Sequence, residues 1–147
     1  MTAEELDRFL AQERTCRVAT VSRHGQPHVS PLWFVWDGTS LWLNSVVRSQ
    51  RWTDIRREPR IGVVVDAGAG FQELRGVELS GVAEQVGEAP RQGLPNDDLA
   101  VPESLFAHKY TSSGRFEPDG HHGWLRLTPA KVVSWDFRKR AQPARRG

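Results

Sequence analysis

Apolar residues recur along this chain with two different periods, and the change of period marks its elements. Leu6, Phe9 and Leu10 fall at i, i+3 and i+4, with Glu4, Asp7, Arg8 and Glu13 around them. That spacing predicts an amphipathic helix over residues 2–13, opened by Thr2 and Glu5 at capping-box spacing. From Cys16 the pattern turns strand-like. Residues 16–22 are rich in β-branched side chains, Arg23-His24-Gly25-Gln26 reads as a turn, and 27–36 as a second strand. Asp37-Gly38 is a strong hairpin signal, and 40–44 is a third strand. Ser49 can cap a short helix to about Arg57, with Trp52 and Ile55 on its buried side, and Glu58-Pro59 ends it. Residues 60–66 form a fourth strand whose near-continuous apolar run, Ile61 to Val65, predicts burial on both faces. Residues 71–86 read as one long or bent strand, with Gly76 and Gly81 as bulge or corner positions. After a Gly- and Pro-rich loop over 87–101 come a helix over 102–110, a polar stretch, and strands over 123–128 and 131–137 interrupted at Pro129.

Many short strands with corner glycines favour a closed barrel over an open sheet. The expected fold class is mainly β, a β-barrel with peripheral helices. With 147 residues the chain holds one domain, assigned to residues 1–138, and residues 139–147 read as a basic, flexible tail.

Composition narrows the partners. Net charge is only +2, too small to argue for nucleic acid. No run approaches the 18 consecutive apolar residues of a membrane span, and the acidic N-terminus is unlike a secretory signal. A cytoplasmic location is therefore expected. Cys16 is the lone cysteine. It permits no internal disulfide and no thiolate metal site, and reads as a small buried hydrophobe. No metal site is expected: the adjacent His121 and His122 point apart on an extended chain, with no carboxylate at a matched spacing. Walker, Rossmann and Gly-x-Ser-x-Gly patterns are all missing from the sequence.

Two segments carry candidate chemistry. Asn44-Ser45-Val46-Val47-Arg48-Ser49-Gln50-Arg51 runs from a strand end into a helix start, where free backbone N–H groups attract anions. Hydroxyls at Ser45 and Ser49 and guanidiniums at Arg48 and Arg51 would add charge-assisted bonds. Two arginines there oppose the helix dipole, so stability alone disfavours them. The second segment is 27–36. Pro31 inside a strand cannot donate to a ladder, and the open edge it leaves can present backbone groups to the rim of a flat heterocycle. Trp33, Phe34 and Trp36 fit either that site or a core or subunit interface.

In order and spacing, these segments resemble the pyridoxamine 5′-phosphate oxidase-like superfamily, the flavin and deazaflavin oxidoreductases of the FMN-binding split β-barrel fold. The resembling residues are Val18-Ala19-Thr20-Val21, Gly25-Gln26-Pro27-His28-Val29-Ser30-Pro31, Trp33-Phe34-Val35-Trp36-Asp37-Gly38, Ser49-Gln50-Arg51 and Asp54-Ile55-Arg56-Arg57-Glu58-Pro59-Arg60. The match covers about residues 4–86, with a weaker echo at 132–139. It implies a homodimer with cofactor sites at the subunit interface. It also implies a cofactor phosphate near Asn44, Ser45, Ser49 and Arg51, a ring along His28, Val29, Ser30, Pro31 and Leu32, and Phe71 approaching the cofactor from one subunit. Relatives often carry Lys where Arg51 stands and Asn where Asp54 stands. The chain lacks the C-terminal arginine/histidine segment of the true oxidases. The resemblance therefore favours an oxidoreductase passing a hydride from the deazaflavin F420 to a small organic acceptor. FMN is the alternative cofactor. A non-catalytic flavin or haem module is the alternative role, with His108, His121 and His122 as late candidates for an axial ligand. His28 is the candidate acid by position, and Lys109 and Tyr110 are placed at the opening.

Overall fold

The computed structural model describes residues 1–140. Three helices, α1 (Ala3–Gln12), α2 (Gln50–Arg57) and α3 (Ala100–Tyr110), surround seven strands. The strands are β1 (Thr15–Val21), β2 (Pro27–Trp36), β3 (Leu41–Val46), β4 (Arg60–Ala67), β5 (Arg75–Val86), β6 (His122–Leu127) and β7 (Lys131–Asp136). Six of them close a ring in the order β4-β1-β2-β3-β6-β5, with β5 returning to β4; β7 pairs with β5. All pairings are antiparallel. The fold is mainly β, a split β-barrel with peripheral helices, as the sequence predicts.

Local chemistry explains the boundaries. The Thr2–Glu5 capping box forms at the start of α1. Ser49 caps α2, its Oγ accepting from Trp52 N–H at 3.1 Å. Gly25 and Gly38 take positive φ in the two hairpins of the meander. β6 and β7 run along the same long strand, β5. Their register slips by one residue at Thr128-Pro129-Ala130, a bulge facing Gly81. A Cβ on Gly81 would lie 3.1 Å from Leu127 Cδ1. Gly76 serves close packing: a Cβ there would lie 2.4 Å from the Trp135 ring.

Two apolar clusters hold the barrel. The interior cluster includes Phe9, Leu10, Val18, Phe34, Leu41, Leu43, Val63, Val77 and Leu127. A second cluster, Val35, Trp42, Val86, Leu99 and Trp124, lies outside the barrel, with Phe106, Tyr110 and Phe116 of α3 and the following loop packed against it. This corrects one expectation. Double-sided burial belongs to β3 and not to β4, because α3 covers the outer face of β3 and β6. On β4, Ile61, Val63 and Val65 are buried while Gly62 and Val64 are half-exposed. With Ala19 and the exposed Val29 they line an apolar surface groove. Cys16 is fully buried and unpaired, and burial pushes its thiol up to about 12.

The basic segment partly joins the body. Phe137–Lys139 is a 3-10 turn and Lys139 Nζ lies 2.8 Å from Glu5. Residues 141–147, where the expected tail continues, lie outside the described residues. No described helix is long and apolar enough to cross a membrane.

Candidate functional site

The barrel splits between β2 and β3. Their pairing ends at Phe34↔Leu43. Beyond that point β2 continues back from Trp33 to Pro27, paired only with β1, while β3 continues through Asn44–Val46, paired with β6. Pro31 sits on this free edge of β2, where its missing N–H costs no ladder bond.

Arg51 spans the split. Its Nε donates to Ser45 Oγ of β3 at 3.0 Å, and its Nη1 donates to Ser30 Oγ of β2 at 2.6 Å. The residue is 6% exposed. Burial pulls its pKa below the ordinary value, and nearby Cys16 opposes this only weakly. Arg51 has no carboxylate partner among the described residues, and Nη2 makes no hydrogen bond to them. A buried guanidinium with only neutral hydroxyl partners has lost hydration without a counter-charge. An anion entering the adjoining cavity would supply one. That cavity, about 260 Å³, is lined by Pro31, Leu32, Trp33, Asn44, Val46, Arg51 and His122. Asn44 adds a second unmet demand, because its buried side-chain Nδ2 has no hydrogen-bond partner.

The fold holds Arg51 there from behind. Trp52, the next residue on α2, packs against β6 over Gly123, where a Cβ would lie 2.8 Å from Trp52 Cη2. Asp54, one turn along α2 and fully buried, accepts from Thr20 Oγ1 at 2.8 Å and Gln50 Nε2 at 2.7 Å. It pins α2 to β1. The His28 ring faces this carboxylate, with Nδ1 4.0 Å from Asp54 Oδ2 and unpartnered.

A second cavity of about 190 Å³ adjoins the first and shares Trp33, Asn44 and His122 with it. Its other lining residues are Arg91, Phe106, Phe116, Glu117, Pro118 and Asp119. Each volume is large enough for only part of a drug-sized ligand or for a small ring system, and the two joined fall within the roughly 300–1,000 Å³ of a drug-sized site. At their junction His122 Nδ1 donates to Asp119 Oδ2 at 2.5 Å. Asp119 also accepts from the backbone N–H groups of His121 and His122 at 2.8 and 3.0 Å. Burial raises its pKa, but these bonds outweigh burial and hold the carboxyl below its ordinary value. With Nδ1 committed, His122 keeps Nε2 free for a ligand.

Among the residues named from sequence, Ser30, Pro31, Leu32, Asn44, Ser45 and Arg51 converge on the split. The others are placed elsewhere. The Ser49 hydroxyl is spent on the helix start, also donating to the Val46 carbonyl at 2.7 Å. Arg48 is exposed and bonds to no described residue. Val29 points to the outer groove, 63% exposed. His28 lies behind the split with Asp54. Phe71, 73% exposed, packs against Phe137 and lines neither cavity of this protomer. Lys109 and Tyr110 do not line the opening. Lys109 Nζ donates to the carbonyls of Leu10 and Phe34 at 3.1 and 3.3 Å, and Tyr110 Oη accepts from Phe34 N–H at 3.2 Å. Both fasten α3 to the barrel.

Sequence reasoning missed Asp119, Phe106, Phe116 and Arg91 as site residues; it offered Trp33 as either a site or an interface aromatic, and His122 only as a candidate haem ligand. The one local signal was Asp119-Gly120 ahead of His122, where an Asx turn brings a carboxylate back over the residues two and three later.

A six-stranded barrel split between β2 and β3, with peripheral helices, is the fold of the flavin-type split-barrel class. The family profile described as pyridoxamine 5′-phosphate oxidase matches residues 2–136, and the chain belongs to that family. A search of curated proteins returns no match. Among solved structures, a conserved hypothetical protein of Mycobacterium tuberculosis is 29% identical, with a TM-score of 0.79 over 97% of this chain and 89% of that one. An F420 reductase shares the fold at 20% identity and a TM-score of 0.64, over 86% of this chain and 94% of that one. A haem storage protein from Vibrio cholerae shares it at 14% identity and a TM-score of 0.69, over 88% and 92%.

Proposed function

We propose that this chain is a cytoplasmic oxidoreductase subunit that binds a phosphate-bearing deazaflavin or flavin, F420 ahead of FMN, and promotes hydride transfer to a small organic acceptor. The observation that carries the reading is Arg51: buried, bonded to one hydroxyl on each side of the split, and without a carboxylate. Asn44 Nδ2, orphaned in the same cavity, fits an acceptor atom of the same ligand. The residues therefore fit the anionic end of such a cofactor, with the free edge of β2 at Pro31-Leu32 beside it. The F420 reductase with the same fold supports the choice of F420.

The cofactor would supply the hydride, the hard part of the chemistry. The chain's own residues do the rest. Arg51, Ser30 and Ser45 form the anion receptor. Asn44 orients the ligand from the wall that the two cavities share. His122, held by Asp119 through Nδ1, stands at the junction as the group able to carry the proton that must accompany a hydride. It replaces His28 in that role.

A homodimer completes the proposal. The groove of Ala19, Val29, Gly62 and Val64 is apolar and about 220 Å³, and the same patch of a second copy seated against it would cover it. In such a dimer Phe71 would approach the partner's site.

Fluorescence titration with F420 and with FMN tests the assignment. One of them should bind the wild type, and Arg51→Ala should weaken it by about 1.5–3 kcal/mol, the cost of losing hydrogen bonds from a charged group. Equal affinity of variant and wild type would overturn the anchor. A Soret band on adding haem, with no binding of either flavin, would replace the reading with a haem module. Steady reduction of an added acceptor separates an enzyme from a carrier.

A further inference from the structure

The two adjoining cavities differ in electrostatics as much as in shape. The Arg51 chamber holds one buried positive charge with no carboxylate. The second chamber contains Arg91, but that charge is already answered. Arg91 Nε and Nη2 donate to both oxygens of Glu103 at 2.8 and 3.1 Å, and Nη1 donates to Glu88 at 2.5 Å. What faces the space without a cationic partner is Glu117, while Asp119 presents a second carboxylate through its bond to His122. An anion is favoured in the first chamber and repelled in the second.

The second chamber is also walled by aromatic rings. Trp33, 46% exposed, stacks on Tyr110 with centroids 4.4 Å apart and planes at 10°. Phe106 tilts against Trp33 at 6.0 Å, and Phe116 meets Phe106 edge-on at 5.7 Å. Trp124, fully buried, backs both phenylalanines at 5.7 Å. Its Nε1–H donates to Glu103 at 3.0 Å, so the cluster that neutralises Arg91 also holds the ring behind them. Such contacts hold Trp33, Phe106 and Phe116 in place where they line the chamber, and aromatic faces carry negative potential and prefer flat, electron-poor or cationic partners.

We propose that this second chamber is the acceptor site and that its acceptor is a planar aromatic molecule, neutral or cationic, with anionic rings excluded. The proposal rests on the reading that the Arg51 chamber takes the cofactor's anionic end, because only then is the neighbouring chamber left for the acceptor. Trp33, Phe106 and Phe116 provide the faces. Glu117 and Asp119 set the charge preference. His122 provides the polar contact at the junction.

Three bicyclic probes of the same plane and different charge test it: N-methylquinolinium, quinoline and quinoline-4-carboxylate, each titrated by ligand-observed NMR into the full-length protein. The cation should bind most tightly, quinoline next, and the carboxylate at least tenfold more weakly than quinoline. Phe116→Ala should weaken quinoline at least tenfold, and the milder Phe116→Leu, with an unchanged melting temperature, should weaken it measurably, which separates loss of the aromatic face from loss of the fold. Asp119→Asn should narrow the preference for the cation over quinoline. Three probes binding alike, or quinoline unaffected by both Phe116 variants, would overturn the proposal. Binding of FMN or F420, measured in parallel, keeps the two readings apart. If the flavins bind and the probes fail to discriminate, the acceptor assignment falls alone. If the probes discriminate and no flavin binds, the aromatic site stands and the cofactor reading falls.

Discussion

Two arginines in this protein are almost equally buried, Arg51 at 6% and Arg91 at 5% exposure, and they do opposite things. Arg91 is saturated. It grips Glu103 with two nitrogens and Glu88 with a third, and Nη1 also donates to the Leu94 carbonyl at 2.7 Å. Glu88 in turn accepts from Leu94 N–H at 2.9 Å and Gln92 N–H at 3.2 Å. Burial opposes these bonds, yet together they hold its carboxyl down at about 2. The cluster closes the loop between β5 and α3. Arg51 has two hydroxyls and a cavity. Burial alone identifies neither role. The difference lies in whether the protein supplies the counter-charge: it does for Arg91, and among the described residues it does not for Arg51.

Breaking the saturated arginine should have the largest effect. Arg91→Met leaves Glu88 and Glu103 without their cation and should cost about 3–5 kcal/mol, read as a lowered midpoint in urea. Arg51→Met should behave oppositely. With no carboxylate abandoned, its stability should stay within about 1 kcal/mol of wild type. The rise in melting temperature that FMN or F420 should give the wild type should disappear. If Arg51→Met proved as destabilising as Arg91→Met, the contrast between the two arginines would be gone.

The backing of Arg51 can be tested without touching it. Gly123→Ala places a methyl where the Trp52 ring lies and should cost about 1–3 kcal/mol by overpacking. It should also weaken flavin binding, because α2 carries Arg51. Unfolding that shows full stability and unchanged affinity would mean that α2 does not set the position of the guanidinium.

The smallest effect concerns a half-buried cation, Lys109. Burial lowers the pKa of Lys109 from the ordinary 10.5 to about 8. Below about pH 8 its charge is present in folded and unfolded chains alike, and the burial cost is carried in full. Between about 8 and 10.5 the unfolded chain holds the proton and the folded chain does not, so this group makes stability rise with pH. Cys16, raised from 9.0 to about 12, acts the other way from about pH 9 upward, because there the unfolded chain ionises first. The rise should therefore show between pH 8 and 9 and level off above it, where the two effects cancel until burial of Tyr110, which raises its phenol from 10.0 to about 12, adds to the fall above pH 10; Lys109→Met should remove the rise and expose a decline that begins near pH 9.

Much of the fold was legible because it is written locally. The Thr2–Glu5 box, the Asp37-Gly38 turn, Ser49 as a cap, Glu58-Pro59 as a stop and Pro129 as an interruption each act within a few residues, and each stands where the local rules place it. The family was legible for the same reason: its marks are short runs in a fixed order. Half of the candidate site was legible too, since the segment from Asn44 to Arg51 is contiguous.

What the sequence could not decide was which side chains meet. Two serines at 30 and 45, on strands that part, become partners of one arginine only when the barrel splits between them. Ser49 and Arg48, their equals on paper, are taken by a helix cap and by solvent. Arg91 and Arg51 look alike along the chain, and only the tertiary structure brings Glu88 and Glu103 to the first and leaves the second without a carboxylate. The sequence alone determined the elements, their order and the family; the closing of the barrel determined the charges. Hydrogen bonds in caps and turns span a few residues, whereas the electrostatics of a buried group depend on everything packed around it.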